Sequence, residues 1–286
     1  MTSAPRIFSS SPMQRADGAA RIVFARREDG VSALADLYQR SPAKVLFPGG
    51  EDIPEAVLVT TSGGLTGGDR MQLAVAVQAG AEAVVTSQAA EKHYKSSDDT
   101  PTEMTQVFSV GAGATLEMLP QEQILFEGSR LKRRTDIHLT ATSRLLMVDC
   151  LFFGRSAHGE SVTMGMLNDR WQLYRDGRLL WADGLRLLGN IQETLAAQHG
   201  FGGAKALATL VMHGVEAEGA RDRLRAVLAP ALHSGTLGGV TALGSLVIAR
   251  IAGPDAALVR AALVTMTEAA RAELGRPARL PRVWAT

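Results

Sequence analysis

The sequence predicts a mainly β protein: a β-helix-like stack of short strands with a small C-terminal α+β portion. Three observations carry this expectation. Short apolar runs bounded by Gly, Pro, Asp or Ser recur at roughly 8–12-residue spacing through the first half of the chain, which is a strand rhythm. Several of them alternate. Met71, Leu73, Val75 and Val77 share one face, with Gln72, Ala74 and Ala76 on the other. Two phrases also repeat. VQAGAEAVVTS and VGAGATLEMLP each hold an apolar strand, a Gly-Ala turn and a second strand, the pattern of similar stacked layers.

Taken in order, residues 1–18 are Ser/Pro-rich and read as a flexible tail. Residues 19–286 read as a single β-rich domain, with the α+β part at about 200–286. ARIVFARRE and AKVLFP are strands, with a turn or short helix around SALADLYQR between them. EAVLVTT, MQLAVAV, AEAVVTS, TEMTQVFSV, ATLEMLP, QILFEG, LKRRTDIHLT and SRLLMVDCLFFG follow as strands. RWQLYRDGRLLWADG is a hairpin, because Asp176-Gly177 suits a two-residue type I′ turn. That register sets Leu173 opposite Leu180 and Tyr174 opposite Leu179, with both faces of the hairpin covered. KALATLVMHGVEA and VTALGSLVIARIAG each read as a strand, and GARDRLRAVLAPAL as an amphipathic helix. A final helix starts at Pro254 and Asp255 and ends at Gly275. Its apolar stripe is Leu258, Ala262, Val264 or Thr265, and Ala269, with Arg260, Glu268, Arg271 and Glu273 elsewhere.

Composition excludes several functions. The 286 residues carry 30 Lys+Arg against 29 Asp+Glu, so the basic footprint of a nucleic-acid binder is missing. Hydrophobic residues make up 46%, which fits a large core or a surface that a partner covers. Cys150 is the only cysteine, so no intramolecular disulfide can form and a reducing cytoplasm is expected. No apolar run reaches the roughly 18–20 residues of a membrane span, and no signal-peptide stretch opens the chain. A soluble protein is expected.

The densest signal is SGGLTGGDR, where Gly63, Gly64, Gly67 and Gly68 lead into Asp69 and Arg70. A phosphate loop would need Lys-Ser/Thr and a helix next, and an alternating strand follows instead. Two readings stay open: a structural tight turn, or a turn that aims Asp69 at a site. Asp149 lies inside LLMVDCLFF on the face of Met147 and Leu151, with Val148, Cys150 and Phe152 opposite. A carboxylate there needs a partner, a proton or water. It either pairs with an arginine such as Arg70 or Arg155, or lines an internal polar channel or metal site. His93, His138 and His158 are scattered and form no zinc pattern. Carboxylates and single histidines leave open only a looser, weak site for a borderline ion such as nickel. Ser156 and His158 are too local to count as a triad, and there is no nucleophile elbow. Lys132, Arg133 and Arg134 read as a solvated edge strand blunted by cations, or as a patch for an acidic partner.

The ordered set SGGLTGGDR, TSQAAEKHYKS, GATLEMLPQEQILFEGSR, SRLLMVDCLFFGRSAHGE, LYRDGRLLWADGLRL and the terminal LPRVWAT resembles the urease accessory protein family UreD, also called UreH. The match runs in register from about residue 15 to the end. The resemblance implies a β-rich, helix-like stack and a nickel chaperone or scaffold, not an enzyme. It implies partners UreF and UreG, docking on apo-urease, and transient nickel passing through an internal polar tunnel, with no tightly bound cofactor. Carried over by position, Asp69, Asp149 and Glu160 are implied tunnel or nickel contacts, with Thr86 and Ser87 as tunnel lining. The chain departs from the family at His93, where an aromatic or Ile-like residue is usual. It departs again at Lys95, often Arg, and at Gln88-Ala89, often Pro-Gly. A rival reading from the residues alone is a β-solenoid-like enzyme acting on a small polar substrate at the Gly63–Asp69 loop.

Overall fold

The computed structural model describes residues 14–49, 53–155, 162–233 and 235–285. The first 13 residues of the expected tail, and with them Ser156, His158 and Glu160, lie outside the described residues. Seventeen strands and three helices are placed among the described residues. The fold is a solenoid-like stack of about three turns, as the repeated phrases predict.

Each turn visits three stacks. Strands β5 (Arg70–Val77), β8 (Thr102–Val110), β11 (Arg130–Leu139) and β13 (Met164–Arg175) run parallel in a first sheet. Strands β4 (Glu55–Thr60), β6 (Glu82–Ser87), β9 (Thr115–Leu119) and β12 (Arg144–Phe153) run parallel in a second. A short third stack closes the corner, where Leu65, β7 (Glu91–His93), β10 (Gln123–Leu125) and the end of β12 lie side by side. The repeated Gly-Ala turns sit one above the other, with Gly80 N–H donating to the Ala112 carbonyl. Val75, Val77, Phe108, Ile137, Val85, Leu116 and Met147 pack between the sheets, so each strand's alternation decides which side chain goes inward.

The stack is capped and widened at its margins. Strand β1 (Asp17–Arg26) pairs parallel with β5, and β2 (Ser32–Arg40) pairs antiparallel with β1. SALADLYQR is therefore an edge strand, not a turn or short helix; its exposed side chains hide a strand periodicity. Strand β3 (Ala43–Leu46) borders β4. At the far margin β14 (Arg178–Asn190) closes the predicted hairpin, with Asp176 and Gly177 both at positive φ. Tyr174 faces Leu179 as expected, but a bulge sets Leu173 opposite Trp181 rather than Leu180. The hairpin is also not covered on both faces: Met164, Leu179 and Leu188 are exposed on this edge.

The second sheet continues through β15 (Ala206–His213), β17 (Leu246–Gly253) and β16 (Leu237–Leu243). VTALGSLVIARIAG is thus two strands, turned at Gly244, whose φ of +57° suits glycine. Helix α1 (Ile191–Ala196) follows β14. Helices α2 (Ala217–Ala231) and α3 (Ala256–Glu273) bury the outer face of the second sheet. Asp255 caps α3 by accepting from Ala257 and Leu258 N–H. The buried stripe of α3 is Val259, Ala262, Leu263, Met266, Ala270 and Arg271, rotated by about one residue from the expected one. Arg271 is drawn inward because Glu117 of β9 points outward under the helix, 2.6 Å away. The terminal LPRVWAT is latched here as well: Trp284 Nε1–H donates to the Leu119 carbonyl at 3.1 Å.

Candidate functional site

The glycine loop links β4 to β5 and is the first corner of the stack. Gly64 has φ +140°, and a Cβ there would stand 2.5 Å from the Tyr94 ring and 2.9 Å from the Lys92 carbonyl. Only glycine lets the loop lie this close to the next corner. Asp69 ends the loop and is buried. One of its oxygens accepts from Ala16 N–H and the other from Thr66 N–H, both at 2.8 Å. Its carboxylate closes the turn on itself and ties it to the strand entering β1.

Behind the loop lies a cavity of about 340 Å³ between the two sheets. Exposed Gly63, Gln88 and Lys92 stand at its rim, and buried Met104, Met118 and Gln123 at its floor. Ser87 lines it, accepting from Gln121 N–H at 2.8 Å. Thr86 is fully buried, and its hydroxyl is spent on the Leu119 carbonyl at 2.6 Å. Glu91 also lines the cavity and accepts from the Thr60 hydroxyl. Desolvation raises the Glu91 pKa above the usual carboxylate value, opposed by that hydrogen bond.

Below the cavity floor, two sets of polar groups are buried in the protein. Gln123 Oε1 is 2.9 Å from His93 Nε2. His93 is fully buried, and its pKa falls to about 4, chiefly through desolvation, with the nearby Arg133 charge adding to the drop. In the second set, Arg133 of β11 holds two carboxylates from different strands. Its Nη1 and Nη2 donate to Asp149 at 2.7 and 2.6 Å, and its Nε and Nη2 to Asp169 of β13 at 2.8 and 2.6 Å. Trp171 Nε1–H donates to Asp169 at 3.2 Å. Burial opposes the Arg133 charge, but Asp149 and Asp169 outweigh it and raise its pKa well above the ordinary value. Two carboxylates share one guanidinium, so the cluster carries one excess negative charge inside the protein.

This geometry corrects two expectations. The partner of Asp149 is Arg133, neither Arg70 nor Arg155: Arg70 is an exposed neighbour of Glu103, and Arg155 lies over the Phe126 ring. β11 is an interior strand between β8 and β13, not a solvated edge. Alternation leaves Lys132 and Arg134 outside and turns Arg133 inward. That alternation was the available signal for Arg133, masked by the neighbouring cations. Asp169, in the polar-looking LNDRW, gave no such signal. Asp69 and Asp149 sit in separate environments and share no contact. Cys150, on the opposite face of β12, is a buried thiol whose pKa burial pushes well up, with Glu122 and Asp149 adding to the rise. Among the described residues, no three His, Cys, Asp or Glu side chains cluster closely enough to hold a metal ion. Nor is any helix among them long and apolar enough to cross a membrane.

Known proteins resemble the chain over nearly all of its length. The family model described as UreD urease accessory protein matches residues 16–285. The urease accessory protein UreD of Magnetococcus marinus is 41% identical over 282 residues, covering 97% of this chain and 96% of that protein. The protein of the same name from Rhizobium etli is 39% identical over 272 residues, covering 95% and 96%. That from Dinoroseobacter shibae is 39% identical over 276 residues, covering 96% and 94%. Matches of this length and identity place the chain in the urease accessory protein UreD family.

Proposed function

We propose that this chain is a non-enzymatic scaffold and nickel conduit in the cytoplasmic complex that matures urease. Its partners in this reading are UreF, through it UreG, and apo-urease, with nickel as cargo rather than resident cofactor. The observation that carries the reading is the series of buried polar groups inside the stack, Gln123 with His93 under the cavity and Asp149 with Asp169 on Arg133. Such a series costs solvation free energy that an apolar interior would not. Its excess negative charge favours a passing cation. Its lack of a three-ligand cage suits an ion that must be released. Asp69 serves this reading as the anchor of the corner that shapes the rim.

The test is urease activation in cells or in a reconstituted mixture at limiting nickel. Asp149→Asn should still fold and co-purify with UreF, yet activate urease poorly. Activation equal to the parent chain would remove Asp149 from the conduit. Failure to co-purify with UreF in the first place would count against the scaffold role.

A further inference from the structure

The outer face of the first sheet treats charge differently in its two halves. On β1, β2, β5 and β8 the charges are matched within the face. Arg40 pairs with Asp17 at 2.7 Å and Arg21 with Asp36 at 2.9 Å. Glu103 takes Arg70 at 3.8 Å and Lys132, from β11, at 3.0 Å. Farther along the sheet the matching stops. Arg134 of β11 has Asp136 at 2.7 Å. Arg170 of β13 and Arg186 of β14 are exposed, and their side chains make no ion pair or hydrogen bond among the described residues.

Register brings these cations together. Arg134 and Arg170 are direct partners on neighbouring strands, roughly 4.8 Å apart. Arg186 is partner to Asn168, the next outward position along β13 from Arg170. Like charges placed side by side on a sheet are destabilising, so this half of the face costs stability that the matched half does not. Its other side chains suit a protein contact. Tyr174 stacks on His138 at one end, with ring centroids 5.2 Å apart. At the other end Met166 faces Leu188, which is 56% exposed. Arginine, tyrosine and methionine are the types enriched where proteins meet.

The same features select the occupant. A second copy of this chain would set arginine against arginine. A nucleic acid calls for a broad basic excess, and the chain carries a formal net charge of only +1. Carboxylates on a protein surface match the planar guanidinium forks, and an apolar rim on that surface would cover Met166 and Leu188.

We propose that the outer face of β11, β13 and β14, centred on Arg134, Arg170 and Arg186, docks an acidic surface of a protein partner in the maturation complex. The proposal rests on the scaffold part of the reading above and is independent of any passage of nickel.

The test uses the full chain with UreF and apo-urease as probes. Binding of UreF is measured first, then binding of apo-urease to the resulting complex. Arg170→Glu combined with Arg186→Glu should weaken one of these steps about tenfold or more and flatten its dependence on NaCl. The thermal midpoint should not fall, because Arg170→Glu sets a carboxylate beside Arg134. The milder pair Arg170→Gln and Arg186→Gln should weaken the same step by less. Arg21→Glu with Arg70→Glu makes the same change in net charge on the matched half and should bind as the parent does. Undiminished binding at both steps overturns the proposal. So does an equal loss from the Arg21 and Arg70 pair, which would reduce the effect to net charge. Loss of a double-stranded DNA probe with both protein steps intact would assign the face to nucleic acid and overturns it too. A parent chain that binds neither UreF nor apo-urease sinks the scaffold reading and this face with it. Parent binding that the glutamate variant matches sinks the docking face alone.

Discussion

Asp69 and Asp149 are both buried acids in the chain's most informative motifs, and they are buried by opposite means. Asp69 is satisfied by backbone: two amide N–H groups, one from its own loop and one from Ala16, fix its two oxygens. Asp149 is satisfied by a side chain that it must share, since Arg133 also serves Asp169. Backbone donors cannot move without moving the chain, so Asp69 holds a shape. Arg133 bonds both carboxylates at once, so Asp149 is held through a charge balance that a change at either neighbour disturbs. Burial and residue type do not separate these two roles; the identity of the donor does.

The largest way to break this comparison is at Arg133. Arg133→Met would leave Asp149 and Asp169 buried and facing one another with no cation. The expected loss is on the order of 3–5 kcal/mol or more, as for any buried pair stripped of one member. Denaturant unfolding of the variant should show little folded protein at neutral pH, with partial recovery in acid as the carboxylates protonate. A variant as stable as the parent at pH 7 would mean that water, not Arg133, balances the acids.

Much of this architecture was legible in the sequence, for a physical reason. Each corner of the solenoid needs turn residues, so SGGLTGGDR, TSQAAEKHYKS and QEQILFEGSR stand out as motifs and fall at successive corners. The Gly-Ala turns between sheets repeat because β6 and β9 must leave their turns in register. What stayed hidden depended on contacts between distant strands. Arg133 looked like part of a surface charge run because its neighbours Lys132 and Arg134 are on the surface. Its choice of Asp149 and Asp169 needed the knowledge that β11, β12 and β13 meet. SALADLYQR hid as an edge strand, where solvent on one side removes the apolar alternation. The α3 stripe was misplaced because a buried arginine, Arg271, reads as solvent-facing until Glu117 is found beneath it.

Next in size is the pH dependence set by His93. Its pKa in the fold is about 4 against an ordinary 6.5, so the folded state disfavours the proton. Stability from this group is complete above pH 6.5 and is lost as pH falls towards 4, by about 3 kcal/mol at the rate of ~1.4 kcal/mol per pH unit. Glu91 acts with opposite sign, because its raised pKa favours the protonated fold and its contribution is lost as pH rises. Metal-free protein should therefore lose thermal stability between pH 6.5 and 4, and His93→Leu should lose less over that window. Parallel curves for the two proteins would mean that His93 is already solvated in the fold.

Asp69→Ala tests the backbone-anchored acid. It leaves the Ala16 and Thr66 N–H groups without their acceptor in a partly buried turn, for an expected loss of about 2 kcal/mol. Urease activation per folded molecule should stay near normal, since the corner's shape is its contribution. A stable Asp69→Ala protein that activates poorly would instead move Asp69 into the conduit and erase the contrast with Asp149.

The smallest stability change belongs to Asp149→Asn, and its size is diagnostic. Arg133 keeps Asp169, so the cluster goes from one excess negative charge to a neutral pair. The amide oxygen introduced by Asp149→Asn can still accept one guanidinium N–H, while the amide N–H₂ faces the other, and the net cost should be about 1 kcal/mol. Asp169→Asn should cost slightly more, because Trp171 N–H also depends on that carboxylate. The double variant leaves Arg133 buried with no counter-charge. It should therefore lose several kcal/mol, well beyond the sum of the two single changes. Such non-additivity would show that the acids act as alternative partners for one cation, as a shared site requires. Simple additivity would mean that each acid is held independently, and that Asp149 is anchored as firmly as Asp69.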